Sequence, residues 1–118
     1  MGIRAMICLL LSPDVDAQTF GRLILRVASL ARKFNLNYIN VVFFNIELKR
    51  VFEEYRNEFT KIMDLGVRVF IKKFDSDNES LRLLNEIGCQ VLYIFKGDRV
   101  ARNLVAGTPF VREVIELE

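Results

Sequence analysis

Histidine is absent from this chain of 118 residues. That absence removes Ser-His and Cys-His nucleophile pairs, imidazole acid–base chemistry and most transition-metal sites. Cysteine is scarce, with two residues, Cys8 and Cys89, far apart and without CxxC spacing. Neither a disulfide framework nor a zinc site follows from that spacing. Charge of one sign is also lacking: 17 basic residues face 15 acidic ones, a net charge of +2. Such a balance argues neither for a nucleic-acid binder nor for a protein of acidic ligands. No apolar run is long enough to span a membrane, because the run Ala5 to Leu11 ends directly at Pro13, Asp14 and Asp16. A buried first strand explains that run better, and the simplest placement is cytoplasmic, without a membrane partner. No linker, repeat or low-complexity segment divides the chain, so residues 1–118 are expected to form one domain.

What is present is apolar. Hydrophobic residues make up 52% of the chain and include ten Phe, rich for a small monomer. Some apolar surface is therefore expected to be covered by a protein partner or by self-association. The clearest helical period runs from about Ala17 to Phe34 and aligns Phe20, Leu23, Ile24, Val27, Leu30, Ala31 and Phe34. Its polar face carries Arg22, Arg26, Arg32 and Lys33, a stripe open to phosphates but better read as a solvated face. Asp14 or Asp16 can cap this helix. Strands are expected at Arg4 to Leu11, Tyr38 to Phe44, Val67 to Phe74 and Val91 to Phe95. A second helix is expected from Glu47 to Leu65, with Leu48, Val51, Phe52, Tyr55, Phe59, Ile62 and Met63 inward and Gly66 as its stop. Ser76 and Glu79 have capping-box spacing for a short helix closed by Gly88.

The last third, GCQVLYIFKGDRVARNLVAGTPFVREVIELE, admits two readings. In the first, Gly97 takes positive φ in a turn, Arg99 to Ala106 form an edge strand, and Thr108-Pro109 start a final helix. In the rival, Arg99 to Leu104 are helical and Val111 to Leu117 extended. The first gives the order β-α-β-α-β-α-β-β-α with helices on both faces of a mixed sheet.

That order resembles the thioredoxin superfamily, most densely across FDSDNESLRLLNEIG and VLYIFKGDRVARNLVAG. The resemblance implies an α/β, three-layer thioredoxin-like domain. Where that family places its CxxC, this chain has Lys49-Arg50-Val51-Phe52, and Gln90 stands near the position of the cis-proline. No dithiol couple can form there, so the implied role is binding without redox chemistry and without a cofactor.

Several residues are candidates for a site. Lys49, Arg50 and Gln90 are candidates for an anion at the start of the second helix, against the ordinary reading of surface charges that extend into water and are offset by Glu47. Cys89, just before the fourth strand, is a candidate lone thiol, against the ordinary reading of a buried inert cysteine. Asp75, Asp77, Asn78 and Glu79 lack the glycine and bidentate Glu of a Ca²⁺ loop, so no metal is expected. DRVARN resembles the arginine motif of serine recombinases, which implies Ser12 as nucleophile with Arg99 and Arg102 on the phosphate. Leu10 stands where that family has a further arginine, and nucleic acid is otherwise not indicated. LLLSPDVDAQTF with VVFFN resembles DsrE-like sulfur-relay proteins, though Lys72, Lys73 and Phe74 occupy the place of the sulfur-carrying cysteine.

Overall fold

The computed structural model describes residues 7–75, 82, 84–89, 91–107 and 111–118. Strand β1 (Ile7–Leu11) is followed by helix α1 (Ala17–Lys33) and strand β2 (Tyr38–Phe44). Two short helices, α2 (Leu48–Glu54) and α3 (Arg56–Asp64), lead into β3 (Arg68–Phe74). Helical residues 84–87 belong to α4 and precede β4 (Val91–Phe95). Helix α5 (Arg99–Ala106) and strand β5 (Glu113–Leu117) complete the order.

All five strands run parallel, in the spatial order β3-β2-β1-β4-β5. The mixed, thioredoxin-like sheet expected from the sequence is therefore overturned: the closing segment is helix then strand, the rival reading. The physical cause lies in Asp98. Its carboxylate accepts from the Ala101 N–H at 3.1 Å and caps a helix at the point where a hairpin strand would begin. Val100, Ala101, Leu104 and Val105 then fall on one helical face against the sheet. Gly97 does not use positive φ; a Cβ there would instead stand 2.7 Å from the Phe95 ring. The expected helix start at Thr108-Pro109 and the capping box at Ser76 lie outside the described residues.

Alternate strand residues face opposite layers. Ile7, Leu9, Leu11, Ile39, Val41, Phe43 and Tyr93 face α1, α2 and α3, while Cys8, Leu10, Val42, Leu92 and Ile94 face α4 and α5. The first layer is keyed by aromatic packing. Tyr55 lies 4.4 Å from Phe20 between ring centroids and stacks on Phe43 at 5.8 Å. Its hydroxyl donates to the Val15 carbonyl at 3.2 Å. Tyr55 leaves helical geometry to reach that position (φ −111°, ψ 7°), which splits the expected helix at 47–65 into α2 and α3. Of the residues expected inward, Val51, Tyr55, Phe59 and Ile62 are buried, whereas Leu48, Phe52 and Met63 are exposed.

Parallel pairing of β1 with β4 brings Cys8 within 5.9 Å of Cys89 between Cα atoms, and the two form a disulfide. The expectation of two unlinked thiols is corrected by this pairing, because a separation of 81 residues reveals nothing until the strand order is known.

Candidate functional site

In an open parallel sheet the strand order reverses at one place, and ligands favour the crevice beyond the carboxyl ends of the two strands there. Here those strands are β1 and β4, whose ends deliver Ser12 and Asp98. Both residues are 0% exposed. The Ser12 Oγ donates to Asp98 Oδ1 at 2.5 Å, and the Ser12 N–H donates to Oδ2 at 3.0 Å. Ser12 Oγ also accepts from the Asp14 N–H at 3.2 Å. The carboxylate that caps α5 thus also ties down the loop from β1 to α1. Both donors and acceptors at the reversal are satisfied internally, so the crevice is locked by the protein's own side chains. The loop after β1, Ser12-Pro13-Asp14-Val15-Asp16, contains no glycine to cradle a phosphate.

The arginines of the DRVARN stretch do not converge on Ser12. Arg99 is exposed in the first turn of α5. Arg102 turns the other way, pairing with Glu116 at 2.9 Å and donating to the Lys96 carbonyl. Asp98 is the residue of that stretch that touches Ser12.

Lys49 and Arg50 are not brought together as an anion grip. Lys49 reaches Glu53 at 4.0 Å and Arg50 pairs with Glu54 at 3.0 Å, each four residues along α2. Bonding to Glu54 holds the Arg50 guanidinium above its ordinary pKa. Gln90 lies outside the described residues. Cys89 is fully buried and its sulfur is bonded to Cys8, so it is not the lone reactive thiol considered from the sequence. Lys72, Lys73 and Phe74, where a sulfur-carrying cysteine would follow a third strand, belong to β3 itself. Among the described residues no cluster of three or more His, Cys, Asp or Glu is placed to hold a metal. Among them, too, no helix is long and apolar enough to cross a membrane.

A different place stands out. Helices α1, α2 and α3 pack mainly over β1, β2 and β3, so that on this face Tyr93 and Leu117 are buried but Val91 and Ile115 of β4 and β5 are covered only in part. The result is a groove of about 420 Å³ between the end of α1 and β5. Its wall is apolar: Ile7, Phe34, Leu36, Val91, Tyr93 and Ile115, with Glu113 at the rim. Phe34, which the helical period placed in the core, is 58% exposed there. Phe34 is the C-cap of α1, and Asn35 directly after it takes φ +62° and turns the chain towards β2. Burial pushes the Tyr93 phenol above its ordinary pKa, with the Glu113 carboxylate adding to the shift. A neutral phenol and aliphatic walls make a surface suited to apolar contact rather than to proton transfer.

The sequence carried one signal of this groove, the surplus of apolar residues. Its position does not follow from the sequence, because the reading that makes the segment after Thr108-Pro109 a final helix removes β5 and with it half of the groove, and only the rival reading keeps it.

These features define a class: a doubly wound, all-parallel α/β domain with a sealed switch point and an open apolar sheet margin. Comparison with family models, curated proteins and solved structures finds no match to this chain.

Proposed function

We propose that this chain is an interaction module, a protein-binding α/β domain whose working surface is the groove between α1 and β5. The observation that carries this reading is the groove wall itself, with a phenylalanine 58% exposed beside half-buried Val91 and Ile115 on an open sheet. Leaving such a wall in water costs roughly 25 cal/mol for each Å² of apolar surface that a partner would cover. A photo-crosslinking residue at Phe34 tests the reading in the full chain within its host cell. It is expected to yield protein adducts of discrete mass, whereas the same probe at exposed Arg82 on α4 yields none. Equal labelling from both positions, or none from Phe34, removes the groove as a binding surface.

A second reading, DNA-strand chemistry by Ser12 with Arg99 and Arg102, is favoured by one observation. The strand–helix–strand order around DRVARN is the context that the serine-recombinase resemblance requires. It requires in addition that Ser12 leave the Asp98 carboxylate and that Arg102 leave Glu116. The sealed geometry gives the interaction reading precedence.

A further inference from the structure

The sheet has two open margins, on opposite faces and at opposite edges. One is the groove over β4 and β5 on the α1 face. The other is a smaller patch on the α5 face at the start of β2 and β3, where the half-buried Tyr38 and exposed Phe70 rings meet edge-on at 5.8 Å, while Val42, Phe44 and Phe74 further along are buried. Phe70 remains 48% exposed, flanked on the same strand face by exposed Arg68 and Lys72. Among the described residues each edge strand also has no strand paired along its outer side, and so offers a template for another strand.

The two edges differ in sign. Strand β3 carries Arg68, Lys72 and Lys73, while β5 carries Glu113 and Glu116 with Glu118 just after it, three carboxylates against the single Arg112 just before it. Some of these charges are engaged within the chain: Lys73 with Asp75, Glu116 with Arg102, and Glu118 with Lys96. Arg68, Lys72 and Glu113 have no ion-pair partner among the described residues.

Resting on the reading of this chain as an interaction module, we infer that its partner is a second copy of itself, joined head to tail with β5 of one copy alongside β3 of the next. Charge decides between the possible joints. A two-fold joint of β5 with β5 sets acidic rows together, and one of β3 with β3 sets basic rows together. The heterologous joint alone sets acid against base.

Shape agrees with charge. If the sheet continues across the joint with parallel strands, the open groove of one copy lies beside the covered margin of the next. That covered margin carries α3, whose end exposes Met63 (64%) and Leu65. The end of α3 lies where the chain enters β3, the same end of the sheet as Ile7, Val91 and Glu113 in the groove. On the other face, α5 of the first copy borders the open Phe70 and Tyr38 of the second. Each open half thus meets a neighbour's helix, and the joint is a lap joint.

Charge swapping tests this. Sedimentation velocity of the full chain at low salt is expected to show mass rising with concentration. Glu113→Lys with Glu116→Lys makes both edges basic, and Arg68→Glu with Lys72→Glu makes both acidic. Each variant alone is expected to associate roughly tenfold or more weakly than the wild type, from like charges across the joint. An equimolar mixture of the two variants restores association, which misfolded variants could not do. A wild type that stays monomeric overturns the joint, as does association indifferent to both reversals or a mixture that remains apart. The interaction-module reading survives those results as long as the Phe34 probe captures a different protein and the Arg82 probe does not, and falls if Phe34 captures none or both positions label equally.

Discussion

At the scale of single residues, Asp98 has the most to hold. Its carboxylate accepts from the Ser12 N–H, the Ser12 hydroxyl and the Ala101 N–H while fully buried. Asp98→Ala leaves two Ser12 donors without their acceptor and uncaps α5, a loss of about 2–4 kcal/mol of stability. Ser12→Ala removes the hydroxyl's bond to a carboxylate that keeps two others, together with the part-buried bond from the Asp14 N–H, a smaller loss of about 1–2 kcal/mol. Urea unfolding of the two variants beside the wild type gives the order. The nucleophile reading demands something else of Ser12→Ala: a DNA-nicking activity present in the wild type and absent in the variant. A wild type that leaves supercoiled DNA intact ends that reading, whatever the stability of the variant.

At the scale of elements, Asp16 shows how a local sequence signal becomes structure. Its side chain accepts from the Thr19 N–H at 2.7 Å and caps α1. That backbone bond first, then the Thr19 hydroxyl, and among the lesser causes the Arg22 charge, hold the Asp16 carboxyl below its ordinary pKa. A carboxyl depressed in the folded state contributes stability above its unfolded pKa and loses it as pH falls through the folded value. The gap in thermal midpoint between wild type and Asp16→Ala is therefore expected at neutral pH and should narrow below pH ~4. A gap that stays constant down to pH ~2 would contradict the capping role.

The sequence narrows this cap to Asp14 or Asp16 and shows α1 and the four strands up to β4, because each has its own period or turn chemistry. The end of the chain was not legible in that way. Arg99 to Ala106 shows imperfect alternation as a strand and good amphipathicity as a helix. What separates the two is Asp98, a residue read as turn chemistry although it also caps. Strand β5 was obscured for the opposite reason: its burial is sparse, with only Leu117 buried, so Glu113 to Glu116 gave little periodic signal. An edge strand with one open face lacks the apolar run that marks β1 and β2. The rival reading, with Val111 to Leu117 extended, is the one the structure matches, and the strand it supplies builds the groove.

At the scale of the whole molecule, the strand order turns distant residues into neighbours. No local pattern could place Cys8 against Cys89, since their contact exists only because β4 returns to pair with β1 after β2 and β3 are laid outside it. The same event sets Ser12 against Asp98, 86 residues away. Strand β4 is thus pinned against β1 beyond both of its own ends, by the disulfide at Cys89 just before it and by the Ser12–Asp98 pair just after it. Closing a loop of this length with a disulfide stabilises the folded chain by on the order of 4 kcal/mol, through the restricted unfolded state. The bond persists only where thiols are oxidised or shielded, and burial of both sulfurs shields it. Because Cys8 and Cys89 pack on the α4–α5 face, the opposite face with the α1–β5 groove does not depend on them. Cys8→Ala with Cys89→Ala is therefore expected to lower the unfolding free energy by about 2–4 kcal/mol while leaving Phe34 crosslinking unchanged. Wild type under strong reductant should follow the double variant in chemical unfolding, and wild type without reductant should not. Coincident unfolding curves for all three would mean that the two sulfurs stay unlinked in solution, and that β1 and β4 are held by their ladder and the Ser12–Asp98 pair alone.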